Sequence, residues 1–97
     1  MKVFQDLEFK KHSLAIEAEK FPPSCQDLAK RFKEAKHAVI EFDNGWGLSV
    51  IFGKCFYSNG VDTYECAISK NGRMDGDVLP YQTKEQVQSL MLDLQQR

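Results

Sequence analysis

Apolar and polar residues alternate on both sides of two Asn-Gly pairs, Asn44-Gly45 and Asn71-Gly72. Alternation with a period of two is typical of strands that bury one face, and Asn-Gly is the strongest local signal for a hairpin turn. The pattern therefore predicts an antiparallel β-meander over residues 38–79.

The loop length of the first hairpin follows from its register. A two-residue loop at Asn44-Gly45 would pair Ile40 with Ser49 and would mix polar and apolar residues on both faces. A three-residue loop over 43–45 instead pairs Ile40 with Leu48 and gathers the apolar residues on one face. We expect a three-residue loop with its glycine in the left-handed conformation.

The same test on the second turn selects residues 70–72 as its loop. This register pairs Ile68 with Met74 and places Glu65 directly across from Asp77. The second hairpin is therefore also predicted to have a three-residue loop, and Pro80 is expected to end the last strand because proline cannot donate to a strand ladder.

Two helices flank the meander. Ser24 and Asp27 have the spacing of a capping box and predict a helix over 24–36. Thr83 and Gln86 repeat that spacing and predict a final helix over 83–97, which is expected to bury one stripe of apolar residues, namely Val87, Leu90, Met91 and Leu94.

The N-terminal segment, residues 1–20, is ambiguous. Residues 1–9 are compatible with a short strand, which Lys10-Lys11-His12 would interrupt. Residues 13–20 have the composition of a helix but alternate like a strand, and the alternation favours the strand.

These elements predict an α+β fold in one domain, residues 1–97, with about four antiparallel strands packed on one face by two amphipathic helices. The apolar content of 42% is sufficient for one modest core. That core is expected to contain the apolar strand residues of one face, namely Ile40, Phe42, Trp46, Leu48, Val50, Phe52, Tyr64, Cys66, Ile68 and Val78.

Charge and cysteine content narrow the classes of function. The net charge is −1, which gives no overall attraction to nucleic acid or to an anionic membrane. No apolar run is long enough to span a bilayer, and the N-terminus lacks the apolar core of a signal peptide. An odd number of cysteines, three, is typical of reduced intracellular thiols, so we expect a cytoplasmic protein that does not contact membranes.

The sequence contains no recognisable catalytic or cofactor motif. Cys25, Cys55, Cys66, His12 and His37 lack the spacing of a zinc site, and no phosphate-binding loop or nucleophile motif is present. We therefore expect no enzyme activity, no cofactor and no bound metal.

The polar face of the predicted sheet carries four carboxylates, namely Glu41, Glu65, Asp75 and Asp77. They form either a solvated outer face or a docking surface for a basic protein partner. A weak divalent-cation site is a further alternative, although no calcium-loop pattern is present.

Two other surfaces are candidates for binding. Basic residues on the first predicted helix, Lys30, Arg31, Lys33 and Lys36, offer an alternative site for nucleic acid. Apolar residues expected at the surface, Phe56, Tyr57 and Leu92, suggest self-association, for example as a homodimer through the last helix.

Further signals lie in four groups of residues: Asp6-Leu7-Glu8-Phe9 with His12; Phe42 to Gly47 with Ser49-Val50-Ile51 and Gly53; Tyr64-Glu65 with Ala67-Ile68 and Asn71-Gly72; and Thr83 with Val87. In these groups the chain resembles a family of small uncharacterised phage and prophage proteins. It departs from their pattern between Glu17 and His37, where the first helix looks like an insertion. The resemblance implies a phage-derived accessory protein in the bacterial cytoplasm, one that binds and modulates a host protein without catalysis.

Overall fold

The computed structural model of the protein describes residues 1–18, 34–53 and 61–97, together with positions 20, 24 and 58. These residues form an antiparallel sheet and helices, which confirms the α+β class. They contain six strands rather than about four. In chain order the elements are a 3-10 turn (Phe4–Asp6), β1 (Lys10–Lys11), α1 (Ser13–Ala18), β2 (Lys36–Glu41), β3 (Trp46–Phe52), β4 (Thr63–Lys70), β5 (Arg73–Met74), β6 (Leu79–Thr83) and α2 (Lys84–Gln95).

The strands pair in the order β1-β2-β3-β4, and both β5 and β6 lie along the outer side of β4. The prediction that Pro80 ends the last strand is wrong, because Pro80 lies inside β6. It is exposed there on an edge strand, where its missing N–H does not disrupt a ladder.

The first hairpin has the predicted register. Ala38 pairs with Val50 and Ile40 with Leu48, and the Phe42 N–H donates to the carbonyl oxygen of Trp46 at 2.7 Å. Gly45 has a φ of +88°, so the three-residue loop with a left-handed glycine is confirmed.

The second hairpin differs from the prediction by one residue. Ser69 pairs with Met74 and Lys70 with Arg73, which leaves a two-residue loop of Asn71 and Gly72. Both loop residues have positive φ, +52° and +81°, as a type I′ turn requires. The predicted three-residue loop is wrong because β5 is a short edge strand with exposed side chains, so burial does not enforce the register.

The core lies between one face of the sheet and α2. Most of the predicted core residues lie in it or against it, whereas Phe52 and Val78 do not belong to the cluster. Three of the four residues in the predicted stripe of α2 are fully buried, namely Val87, Met91 and Leu94. The Thr83 side chain accepts from the Gln86 N–H and the Gln86 side chain accepts from the Thr83 N–H, which confirms the capping box.

The N-terminal part of the chain departs most from the prediction. Residues Ser13–Ala18 form α1 rather than the favoured strand, and Lys10–Lys11 form β1 rather than an interruption. The predicted helix over 24–36 is too long, because Glu34 lies in a turn and β2 starts at Lys36; residues 25–33 lie outside the described residues. Neither described helix is long and apolar enough to cross a membrane.

Candidate functional site

An open cavity of about 220 Å³ lies on the core side of the sheet, at the end away from the hairpin turns. Its lining residues are Phe9, Lys36, Phe52, Val61 and Tyr64, and we call it the aromatic pocket. Phe9 comes from the segment before β1, Lys36 and Phe52 from a directly paired position of β2 and β3, and Tyr64 from β4. Three adjacent strands therefore build the floor of the pocket.

Tyr64 is the centre of an aromatic cluster. The ring centroids of Phe4, Phe9 and Phe52 lie 5.4, 5.9 and 5.4 Å from the Tyr64 ring centroid. Burial raises the pKa of the Tyr64 phenol, and the negative charge of Asp62 raises it further. The phenol therefore stays protonated, and its ring is held by three neighbours in tilted or edge contacts that stabilise aromatic pairs.

The rim of the pocket is basic. Lys11 of β1 pairs directly with Lys36 of β2, and both side chains are exposed. Side chains alternate along a strand, so Lys11 and Lys36 lie on the pocket side of the sheet, whereas Lys10 and His37 lie on the other. Lys36 makes no ion pair within the described part of the chain.

The opposite face of the sheet carries a second group of polar residues. The His12 and His37 rings lie 5.5 Å apart, and His37 Nε2 shares a 2.6 Å hydrogen bond with Ser49 Oγ. Burial lowers the pKa of His37, and the charge of His12 lowers it further. Burial raises the pKa of Glu65, while His12 opposes that shift. His37 is therefore held in its neutral form, in which its ring can accept or donate the bond to Ser49.

The predicted acidic face does not form as a cluster. Glu65 does not pair with Asp77, because β5 ends at Met74 and β4 next pairs with β6, with a shift of register between Tyr64 and Cys66. Asp77 lies between β5 and β6, and Asp75 follows β5 with its N–H bonded to the carbonyl oxygen of Ile68; both side chains are exposed. Glu41 shares a face with Glu65 but lies four residues away along the strands, about 13 Å.

The other predicted site residues are only partly described. Lys36 lies on β2 rather than on a helix, and Lys30, Arg31 and Lys33 fall outside the described residues. Phe56 and Tyr57 also fall outside them. Leu92 is half-buried rather than exposed on the outer side of α2.

The described residues give little support for a reactive cysteine or for a metal site. Cys66 is buried as predicted, and burial together with the charge of Glu65 raises the pKa of its thiol to about 12, which removes its nucleophilic form. Cys25 and Cys55 lie outside the described part of the chain. No group of three or more metal-ligating side chains comes together among the residues that are described.

Sequence reasoning missed the aromatic pocket. Phe52 and Tyr64 were predicted on one face of the sheet, yet nothing in the sequence places Phe9 beside them, since Phe9 lies far from both along the chain. The one available signal was the cross-strand pair of Lys36 and Phe52, which the correct register of the first hairpin already implies.

Comparison of the chain with protein families, with curated proteins and with solved structures finds no match.

Proposed function

We propose that this protein is a non-catalytic protein-binding module, a phage-derived accessory protein that modulates a host protein. The observation that carries the proposal is the aromatic pocket with Lys36 on its rim. Protein interfaces concentrate aromatic anchors in central pockets, and a preformed cluster loses little conformational freedom when a partner binds.

The size of the pocket favours a side chain over a cofactor. Its volume of about 220 Å³ is smaller than the 300 Å³ or so at which small-molecule and cofactor pockets begin. One large apolar side chain of a partner fits such a space.

The Ser49 and His37 pair is better explained as a structural hydrogen bond than as a nucleophile and its base. A catalytic pair needs a third group that orients the histidine. Within the described residues, no carboxylate is hydrogen-bonded to His37. This supports a binding role over catalysis.

The acidic sheet face is now the weaker docking candidate. Only two of its four carboxylates, Glu41 and Glu65, share a face, and they are far apart. The aromatic pocket combines apolar area with the charge of Lys36, which makes no ion pair within the described residues, so we place the partner there. Homodimer formation through α2 stays a prediction with less support, because Leu92 is half-buried.

An affinity experiment with three baits tests the proposal. The baits are the wild-type protein, Lys36→Glu and the matched control Lys10→Glu, whose side chain lies on the other face of the same strand pair. Each is incubated with nuclease-treated bacterial lysate. We expect a discrete protein that the wild type and Lys10→Glu retain and Lys36→Glu loses. Equal retention by all three baits contradicts a role for the pocket.

A nucleic-acid-associated protein is the second candidate. The observation in its favour is the edge of the sheet, where Lys10, Lys11 and Lys36 lie together on two paired strands. Phosphate contacts are sensitive to salt and do not require a lysine on one particular face of the strand pair. This function therefore predicts that Lys10→Glu and Lys36→Glu weaken retention on RNA or DNA to a similar extent. Retention that is independent of salt would exclude it.

A further inference from the structure

We infer that the partner presents an acidic peptide segment with one large apolar side chain, and that this side chain inserts into the aromatic pocket while a neighbouring carboxylate binds Lys36. The inference rests on the proposed function and adds the chemistry of the partner.

The apolar part of the inference follows from the walls of the pocket. Phe9, Phe52 and Tyr64 are only half-buried, and Val61 is 73% exposed. Apolar surface that remains accessible beside a concave site favours binding, because covering it with a partner removes it from water. An aromatic or long aliphatic side chain would bury the faces of these rings.

The acidic part follows from the charges on the rim. Lys36 is exposed on the pocket side of the sheet and makes no ion pair within the described residues. A carboxylate of the partner would form an ion pair with it. A basic segment would be repelled by Lys36, so the rim selects against basic partners.

The position of Lys36 also gives the segment a direction. Lys36 lies on β2, whereas Tyr64 lies on β4, two strands away. A carboxylate of the segment is attracted to the Lys36 side. The acidic residues of the segment are therefore expected over β1 and β2, with the apolar side chain pointing toward Tyr64.

Three fluorescein-labelled peptides test this chemistry by anisotropy. In the first, a tryptophan is flanked by glutamates. In the second, alanine replaces the tryptophan, and in the third, lysines replace the glutamates. We expect the first to bind the wild-type protein at least about tenfold more tightly than either of the others.

Protein variants locate the binding. Lys36→Glu and Val61→Glu should each weaken the first peptide by about tenfold or more, whereas Lys10→Glu should change its affinity by less than about twofold. Lys36→Glu should also gain affinity for the lysine peptide. Both positions are exposed, so these variants are expected to fold, and unfolding followed by the fluorescence of Trp46 checks it.

Three results would overturn the inference. One is a first peptide that binds no better than the alanine peptide, and another is binding that Lys36→Glu and Val61→Glu leave unchanged. The third is displacement of the peptide by a single-stranded RNA oligonucleotide whose own binding is weakened equally by Lys10→Glu and by Lys36→Glu. That result would favour nucleic acid as the partner. If the lysate partner is lost with Lys36→Glu while no peptide binds, the proposed function stands and only the chemistry of the partner fails.

Discussion

The two Asn-Gly hairpins have the same sequence signal and different structures. The first closes with a three-residue loop whose glycine, Gly45, is left-handed. The second closes with a two-residue loop in which both Asn71 and Gly72 have positive φ. One turn signal is thus compatible with two registers, and the surroundings of each hairpin decide between them.

Burial decides the first hairpin. Ala38, Leu48 and Val50 are fully buried on one face, and a slip of one residue would move them to the opposite face. The loop is also tied to α2, because the Asn44 side chain donates to the carbonyl oxygen of Leu94 at 2.7 Å.

Turn geometry decides the second hairpin. Met74 is 57% exposed, so its strand has no buried side chain that a slip would displace. The type I′ turn then prevails, because its twist matches that of the flanking strands. A register argument from hydrophobic pattern is valid only where both strands bury that pattern.

The largest difference in stability between substitutions in the two hairpins is expected at Trp46 and Met74, which lie on the strands that follow the turns. Trp46 packs against the core and contacts two cations, with Lys70 Nζ 4.7 Å and Arg97 Cζ 4.6 Å from its ring centroid. Trp46→Ala should lower the free energy of unfolding by about 3 kcal/mol. Met74→Ala should change it by less than about 0.5 kcal/mol. Urea unfolding followed by circular dichroism measures both, and similar losses would contradict the comparison.

The next largest difference in stability is expected between substitutions of the two turn asparagines. Asn44→Ala removes the bond to Leu94 and the bond that the Asn44 side chain accepts from the Trp46 N–H, and should cost about 2 kcal/mol. Asn71→Ala only replaces a residue that tolerates positive φ with one that tolerates it less, which should cost about 1 kcal/mol. Hydrogen exchange separates the two, because only Asn44→Ala should accelerate exchange in the last turn of α2. Acceleration in both variants would show that the second turn also supports the helix.

The glycines test whether the turns act independently. Gly45→Ala and Gly72→Ala each place a side chain at positive φ, which costs about 1 kcal/mol. Only at Gly45 would the new Cβ approach another turn, 2.5 Å from Asn71 Oδ1, whereas Gly72 has open space. In an Asn71→Gly background, Gly45→Ala should therefore cost about 0.5 kcal/mol less. A double-mutant cycle without that coupling would contradict the contact.

The smallest change in stability is expected from a change in pH. The first hairpin carries His37, whose pKa lies below its ordinary value of 6.5 in the folded state, and the second hairpin carries no histidine. The unfolded chain then binds the proton more readily, so the contribution of His37 is complete above pH 6.5 and is lost as the pH falls below it. The pKa of Glu65 is raised, so its contribution is complete below 4.5 and is lost as the pH rises through its folded pKa.

His37→Gln isolates the histidine. Between about pH 7.5 and pH 5.5, the urea midpoint of the wild type should fall more than that of His37→Gln. Parallel curves for the two proteins would show that His37 titrates in the folded state as it does in the unfolded chain.

Local signals in the sequence predicted the elements whose structure depends on near neighbours. The capping box of Thr83 and Gln86 and the stripe of α2 need only residues three or four positions apart. The first hairpin needed only the alternation around its turn. Over Ser13–Ala18 the composition favoured a helix and the weak alternation favoured a strand, and the segment is a helix.

The candidate site was less accessible to sequence reasoning. The acidic face depended on one continuous strand through Asp77, whereas β5 ends at Met74 and leaves Asp77 between two strands. Lys10 and Lys11 form a strand that two isolated lysines do not predict, because strand formation there depends on pairing with Lys36 and His37.

Hydrophobic period and capping over a few residues were therefore sufficient to predict the fold class, the register of the buried hairpin and the start of the last helix. The register of the exposed hairpin, the pairing of the lysines at the sheet edge and the position of the aromatic pocket became visible only in three dimensions. These features depend on contacts between residues far apart in the chain, and a one-dimensional pattern does not specify which distant residues meet.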